Sequence, residues 1–146
     1  RLAEDFKLLT GTFVHVGAVR TALLSAIPLL ADAVIAGEGR SCTGALAWLN
    51  AAEARAVLGR DPAADGPVIT DPALLACLAA ALAAHHPDSG SAGRVDRLLI
   101  MSAPADLDRG EITDKGYLNQ RRVLAERAGL VERLYADPPG PEVIAR

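Results

Sequence analysis

Residues 95–101, Val-Asp-Arg-Leu-Leu-Ile-Met, form a largely apolar run long enough to be a central strand, so the chain must build a sheet around it. Two further strand candidates, 33–36 and 43–49, are joined by the polar, glycine-containing stretch 37–41 and read as an antiparallel pair. Upstream, residues 5–16 hold two short β-prone runs about Thr10-Gly11-Thr12, a hairpin whose turn is opened by Gly11. The material that covers these strands is helical. Val19, Leu23, Ile27 and Leu30 recur at helical spacing from about Gly17, and Pro28 ends or kinks that helix. Residues 51–58 read as a short helix closed by Gly59, and 61–70 as a loop rich in Pro, Asp and Gly. Asp71 places a capping carboxylate before Pro72 at the first helical position, which predicts a helix over 72–84. Its Ala, Leu and Cys content suggests burial on most sides. His85-His86-Pro87 ends it, and 88–93 is a flexible connection. Residues 102–116 are a polar loop. Asn119 can cap a final helix to about 136, with Leu124, Ala128, Val131 and Tyr135 along one face and Pro138-Pro139 as its stop. The expected fold is α+β: an N-terminal β-hairpin followed by a small mixed sheet covered by three to four helices.

At 146 residues, 51% apolar, the chain fits one compact domain whose core needs neither disulfides nor a structural metal. No apolar run approaches the roughly 18 residues of a membrane-spanning helix. A net charge of -3 argues against wholesale attraction to nucleic acid or an anionic membrane, and 3% aromatics leave no stacking platform for single strands. Cys42 and Cys77 lack metal-ligand spacing and read as reduced thiols in a cytoplasmic protein. The chain starts at Arg1 with no initiator Met and no targeting stretch, and is expected to be a piece of something longer.

Several constellations fail. Gly37, Gly39 and Gly44 lie between two strands rather than before a helix, so no nucleotide-binding fingerprint is formed. No Ser or Cys carries a nucleophile signature. His85 and His86 are adjacent, point about 100 degrees apart on a helix and do not chelate one ion; they read as a helix end where a cation suits the dipole. His15 reads as a surface or ligand-edge residue, Trp48 and Phe13 as core. Arg121, Arg122, Arg127 and Arg133 give the last helix a basic side diluted by Glu126 and Glu132, a solvated face with some intrahelical pairs.

Of the 15 basic residues 13 are Arg, and the two Lys are Lys7 and Lys115. Lys is a compact, movable ammonium that can follow a developing charge, which a delocalised guanidinium does less well. Lys115 sits in Arg109-Gly-Glu-Ile-Thr-Asp-Lys-Gly-Tyr117, bounded by Gly110 and Gly116, on a mobile tip just before a helix start. Residues alone leave two readings open: a group that meets a carboxylate or phosphate ester as charge moves, or an ordinary exposed loop Lys.

The opening stretch, Arg1-Leu-Ala-Glu-Asp-Phe-Lys-Leu-Leu-Thr-Gly-Thr-Phe-Val-His-Val-Gly, resembles the hinge and glycine-loop motif that begins the C-terminal domain of acyl- and aryl-CoA synthetases in the adenylate-forming superfamily. Gly110-Glu-Ile-Thr-Asp-Lys-Gly-Tyr-Leu-Asn-Gln-Arg, with Leu-Val-Glu-Arg-Leu-Tyr-Ala-Asp further on, is similar to the end of feruloyl-CoA synthetases. The resemblance runs from first residue to last and is weaker between Asn50 and Gly93. It implies one C-terminal lid domain, 1–146, with a hinge about 1–5, a glycine loop at 10–17 and a lysine loop at 109–117. The large N-terminal adenylation domain would lie outside this sequence, and the lid by itself is expected to be inactive. The implied enzyme is an ATP-dependent feruloyl- or hydroxycinnamate-CoA ligase: a small aromatic carboxylic acid and ATP give an acyl-adenylate, then CoA displaces AMP. Mg2+ is implied with ATP.

By position, the resemblance gives Arg1 a nucleotide contact, Gly11 and Thr12 the lining of the pantetheine path, and Lys7 a basic position in the same motif. The pivot falls at Ala3 or Glu4, where the family has Asp or Lys. The family's Thr-x-Ser-Gly-Lys pattern, aligned on Thr113 and Gly116, brings Tyr117 to the lysine position; Lys115, two residues earlier, is the cation expected to act as the catalytic lysine through loop flexibility. The alternative is a stand-alone α/β ligand-binding or regulatory module without catalysis, and a third reading is an interaction domain working through its last helix.

Overall fold

The computed structural model describes residues 4–146. It opens with a hairpin of two-residue strands, β1 (Phe6–Lys7) and β2 (Phe13–Val14), with Phe6 opposite Val14. Helix α1 (Val16–Ala26) follows at once. Its cap comes from outside the helix: Asp5 Oδ1 accepts from the Val16 N–H at 3.0 Å, and Oδ2 lies 3.1 Å from His15 Nδ1. Burial works to raise the Asp5 carboxyl, but the Val16 amide and His15 hold it below its ordinary value. Pro28 stops the helix as expected, with Ile27 already out of helical geometry at φ -126°, ψ 88°. Leu30, counted in the helical series, instead begins strand β3 (Leu30–Ala36), which pairs antiparallel with β4 (Gly44–Leu49).

Helix α2 (Ala51–Leu58) ends at Gly59 as expected. The stretch expected as a plain loop contains a small hairpin, β5 (Ala64–Asp65) and β6 (Val68–Ile69), too short for a period-two pattern to show in sequence. Helix α3 (Pro72–Ala84) has the predicted bounds. Asp71 Oδ1 accepts from Ala73 N at 3.1 Å and Leu74 N at 3.3 Å, while Oδ2 takes Ala63 N at 3.0 Å and the Arg60 guanidinium. A 3-10 turn at Gly90–Ala92 leads to β7 (Arg97–Met101).

The expected last helix is two, α4 (Gln120–Glu126) and α5 (Ala128–Leu134), broken at Arg127, whose φ -111° and ψ 33° are not helical. A final strand, β8 (Val143–Ala145), has no counterpart in the sequence reading.

β7 is central, as its composition requires. It lies parallel to β4 on one side, and its other edge is shared by β8, opposite Arg97 to Leu99, and β6, where Val68 meets Met101. Both faces are covered, which explains the unbroken apolar run. Ala33, Ile35, Ala45, Ala47, Leu98 and Ile100 face α1, α2 and α3. Val34, Leu46, Leu99 and Met101 face Val123 of α4 and Leu130 and Leu134 of α5. Each fully buried Leu or Ile here contributes about 1.5–3 kcal/mol relative to exposure. Phe13, expected in the core, is 44% exposed and meets the His15 ring edge-on. A two-residue strand in a two-stranded hairpin has one covered face, and Val14 holds it. Trp48 lies at the margin of the second cluster, its indole N–H donating to Ala103 C=O at 2.8 Å.

Candidate functional site

The hairpin carrying Gly11 and Thr12 is held by Leu8 N–H to Thr12 C=O and Gly11 N–H to Leu8 C=O, both 2.9 Å. Gly11 has φ +86°, and a Cβ there would meet nothing within 4 Å. The residue is required by backbone conformation, and the space beside it is open. The hairpin docks on the β3–β4 connection, where Leu9 N–H donates to Arg40 C=O at 2.8 Å and Gly39 N–H to Lys7 C=O at 3.2 Å. It therefore stands where β3 ends and β4 begins. Lys7 is exposed on β1, beside it in the chain. Arg1 and Ala3 lie outside the described residues. Glu4 lines a small cavity with Phe6, Gln120 and Leu124.

Lys115 stands at the other end of the sheet, on the segment that leaves the carboxyl end of β7. The tip expected to be loose is a hydrogen-bonded hairpin. Ile112 bridges Leu118, Thr113 N–H donates to Tyr117 C=O at 2.7 Å, Gly116 N–H to Thr113 C=O at 2.9 Å, and Tyr117 N–H to Thr113 Oγ1 at 3.1 Å. Gly116, at φ +85°, closes this three-residue turn. Lys115 projects from it into solvent, and its ammonium has no hydrogen-bond or ion-pair partner among the described residues. Tyr117, 71% exposed, follows on the same hairpin. The helix start placed next to Lys115 in sequence is not beside it, because residues 116–119 intervene before α4.

Two loops that the sequence singled out are thus separated rather than brought together. The β4–β7 ladder between them runs from Gly44 opposite Arg97 to Trp48 opposite Met101. Its five residue pairs span about 13 Å at ~3.3 Å per residue. At the carboxyl ends of these parallel strands a cleft of about 420 Å³ is lined by Trp48, Met101, Ile69, Ile112, Gly116 and Leu118, so the lysine hairpin forms part of its wall. This is where ligands bind in open parallel sheets.

Sequence reasoning missed the residues that hold this end together. Arg127, read as part of a solvated basic face, is buried to 13% side-chain exposure against a fully buried Glu111. The Arg127 guanidinium holds the Glu111 carboxyl below its ordinary value against the opposing effect of burial, and the Asp106 N–H helps. Arg127 stands four residues after Val123 and three before Leu130, both buried, so helical spacing itself puts it on the inward side, away from Arg122. Arg122 pairs with Glu126 four residues on, at 3.4 Å, as read, whereas Arg133 pairs with the buried Glu142 and Glu132 with Arg40, both outside the helix.

The remaining candidates have structural roles. His15 precedes α1 and is tied to Asp5. His85 ends α3 with a buried Nε2 that has no hydrogen-bond partner among the described residues, and burial, then Arg146 and His86, push its ring down, so at neutral pH it is not the cation expected at a helix end. Both cysteines are free; burial pushes the Cys42 thiol up, which does not make a nucleophile. Among the described residues no three His, Cys, Asp or Glu side chains come together as a metal ion needs, and no helix is long and apolar enough to cross a membrane.

A mixed sheet between two helical layers, entered through a small hairpin, is the fold of one part of the adenylation domains of carboxylic acid reductases. The adenylation domain of the Segniliparus rugosus carboxylic acid reductase, solved with AMP and a co-purified carboxylic acid, matches with a TM-score of 0.72 and 23% identity over 94% of this chain. The adenylation–carrier didomain of carboxylic acid reductase from the same organism, solved with AMP, gives 0.70 at 23% identity, and the adenylation domain of a Mycobacterium chelonae carboxylate reductase 0.70 at 21%, each over 94% of this chain. The chain spans about a fifth of these structures: 20%, 18% and 20%. The likeness is one of fold. No protein-family model matches the sequence, and no curated protein matches it significantly.

Proposed function

We propose that this chain is the C-terminal lid of an ATP-dependent adenylate-forming enzyme, closing on its own N-terminal adenylation domain, and specifically of a feruloyl- or hydroxycinnamate-CoA ligase. The observation that carries the reading is the placement of Gly11 and Lys115 at opposite ends of one sheet. A rigid body with two working ends serves two half-reactions at one site by turning about a hinge, here residues 1–5. The likeness to adenylation domains solved with AMP and a carboxylic acid supports the nucleotide and substrate class. The feruloyl and CoA assignments rest on the residues about Lys115 and about Gly11 that resemble that family.

In the first half-reaction a carboxylate oxygen attacks the α-phosphorus of ATP and pyrophosphate leaves. Negative charge gathers on oxygens at the reacting phosphorus, and the Lys115 ammonium, exposed on its hairpin tip, offsets it there. In the second, the thiol of CoA gives up its proton to solvent and its sulfur attacks the acyl carbon, and AMP departs with the bonding pair. Gly11, lacking a side chain beside open space, and Thr12 line the thiol's approach. Among the described residues no three His, Cys, Asp or Glu side chains gather, and no step is assigned to the Mg2+ that accompanies ATP. A cytoplasmic setting accords with two free thiols.

Lys115→Ala in the full-length enzyme tests this. ATP–pyrophosphate exchange with the acid is expected to fall about 100- to 1,000-fold, the size of loss when one charge-stabilising donor is removed. Supplied feruloyl-adenylate should react with CoA at close to the parent rate. Equal loss in both half-reactions overturns the role of Lys115.

A further inference from the structure

Arg127 uses four of its five guanidinium N–H groups on the segment that carries Lys115 and the fifth on Met101 at the end of β7. Nε donates to Glu111 Oε2 at 2.8 Å and Nη2 to Glu111 Oε1 at 2.9 Å, a two-point fork. The second Nη2 proton goes to Pro104 C=O at 2.8 Å, and Nη1 reaches Ala103 C=O at 2.9 Å and Met101 Sδ at 3.4 Å. The guanidinium plane lies over the Trp48 ring, 5.3 Å from its centre. One side chain therefore binds the end of β7, the first residues after it, and the residue that opens the lysine hairpin. Glu111 extends the tie. Its Oε1 also accepts from Asp106 N–H at 2.8 Å, its own N–H donates to Asp106 C=O at 3.0 Å, and its C=O accepts from Asn119 N–H at 2.8 Å. Both legs of the hairpin, entering at Glu111 and leaving at Asn119, are pinned to this one residue.

A surface loop that only had to stay soluble has no need of such a core. Burying a guanidinium and a carboxylate costs solvation that water at the surface would supply freely, and such pairs are weak evidence of stability by themselves. What a fork of fixed planar geometry supplies is position. We propose that Arg127, through Glu111, is a positioning residue that sets the height and direction of the Lys115 hairpin over the ends of β4 and β7. This rests on the catalytic reading of Lys115 given above. The planar fork is the essential element, so an ammonium of the same charge does not replace it. Neither residue touches a reactant.

The test uses the full-length enzyme with Arg127→Lys, Glu111→Gln, Lys115→Ala and the Arg127→Lys/Lys115→Ala pair. In Arg127→Lys, kcat for ATP–pyrophosphate exchange is expected to fall about 10- to 100-fold, KM for ATP to move less than about twofold, and the reaction of supplied adenylate with CoA to stay within about twofold of the parent. The pair should be no slower than Lys115→Ala alone, because a misplaced hairpin costs nothing once its lysine is gone. If Arg127→Lys does not fold, as read by near-ultraviolet circular dichroism, Glu111→Gln, which keeps size but replaces one acceptor oxygen by a donor and so breaks the two-point fork, is judged by the same criteria. Additive losses in the pair (or in Glu111→Gln/Lys115→Ala where that substitutes), or equal slowing of both half-reactions, overturn the positioning role while leaving Lys115 standing. Unchanged exchange in Lys115→Ala removes the catalytic reading and the clamp's purpose together.

Discussion

Gln120 pairs with Ile35 as a neighbouring strand would. Its Oε1 accepts from Ile35 N–H at 2.9 Å and its Nε2 donates to Ile35 C=O at 2.6 Å. β3 is an edge strand, and here α4 covers the edge, so these two backbone groups have neither a further strand nor open solvent to meet. One side-chain amide at the first turn of α4 thus closes the sheet and anchors the end of the lysine segment to it.

Gln120→Leu keeps the volume and removes both bonds. Each buried backbone group left unpaired costs about 1–3 kcal/mol, so a clear fall in the urea midpoint is expected at unchanged slope. A midpoint equal to the parent's would mean that water reaches Ile35.

Gly44 opens β4 beneath α5. A Cβ there would stand 2.8 Å from Leu134 Cδ2 and 3.0 Å from the Tyr135 hydroxyl, and that hydroxyl donates to Cys42 C=O at 2.8 Å. Leu134 is fully buried and has nowhere to retreat. Gly44→Ala is therefore expected to destabilise by about 1–3 kcal/mol, the cost of overpacking, read by thermal unfolding. A neutral result would show that α5 lifts off the sheet freely.

Stability should fall with acid in two stages. Burial, with Arg146 and His86, lowers the His85 ring in the folded chain, so the unfolded chain takes up its proton first, from about pH 6.5 downward. Asp71, held well below the usual carboxylate range by Arg60 and the Ala63 amide, and Glu111, held down by Arg127, act lower. Their contributions are complete above about pH 5 and are lost as pH falls through about 4 and below, where the unfolded chain protonates before the folded one. Urea midpoints measured from pH 7 to pH 3 should decline throughout, and the gap between the parent and Glu111→Gln should narrow below pH 4. A gap independent of pH would mean that Glu111 is not ionised when folded.

Gly11→Ala meets no neighbour, so its cost is conformational: a left-handed φ of +86° strains an L-residue by about 1–2 kcal/mol. In the full-length enzyme the second half-reaction should slow and adenylation should hold, the mirror of Lys115→Ala. A loss confined to adenylation would contradict the division of labour between the two ends.

Most of the scaffold was legible because its signals are short-ranged. Asp71 before Pro72, Gly59 and Pro28 each act within a turn of their own position, and the elements they bound lie where the sequence puts them, while Asn119 marks only the start of α4, since the helix expected to run to 136 breaks at Arg127. The strand at 95–101 was evident from composition alone, trimmed at its start to Arg97. The candidate site was half legible. Gly11, Thr12 and Lys115 are candidates by residue type and position, while Arg127 reads as solvated only when it is grouped with Arg121, Arg122 and Arg133 and its spacing to Val123 and Leu130 is passed over. Phe13 failed for the same kind of reason: an aromatic in a strand reads as core until the strand proves to have only one covered side.

The amino-acid sequence determined where helices start and stop, which segments must be covered on both faces, and that two Lys remain among many Arg. Tertiary structure alone decided that β5, β6 and β8 become strands at all, that Gly11 and Lys115 belong to opposite ends of the sheet, and that Glu111 meets Arg127 16 positions away and Ile35 meets Gln120 85 away. Caps and breakers work through backbone groups three or four residues apart, so they leave a local trace. A buried fork or an edge-strand pairing is satisfied by whichever donor the packed layers bring within 3 Å, and no spacing in the chain records it.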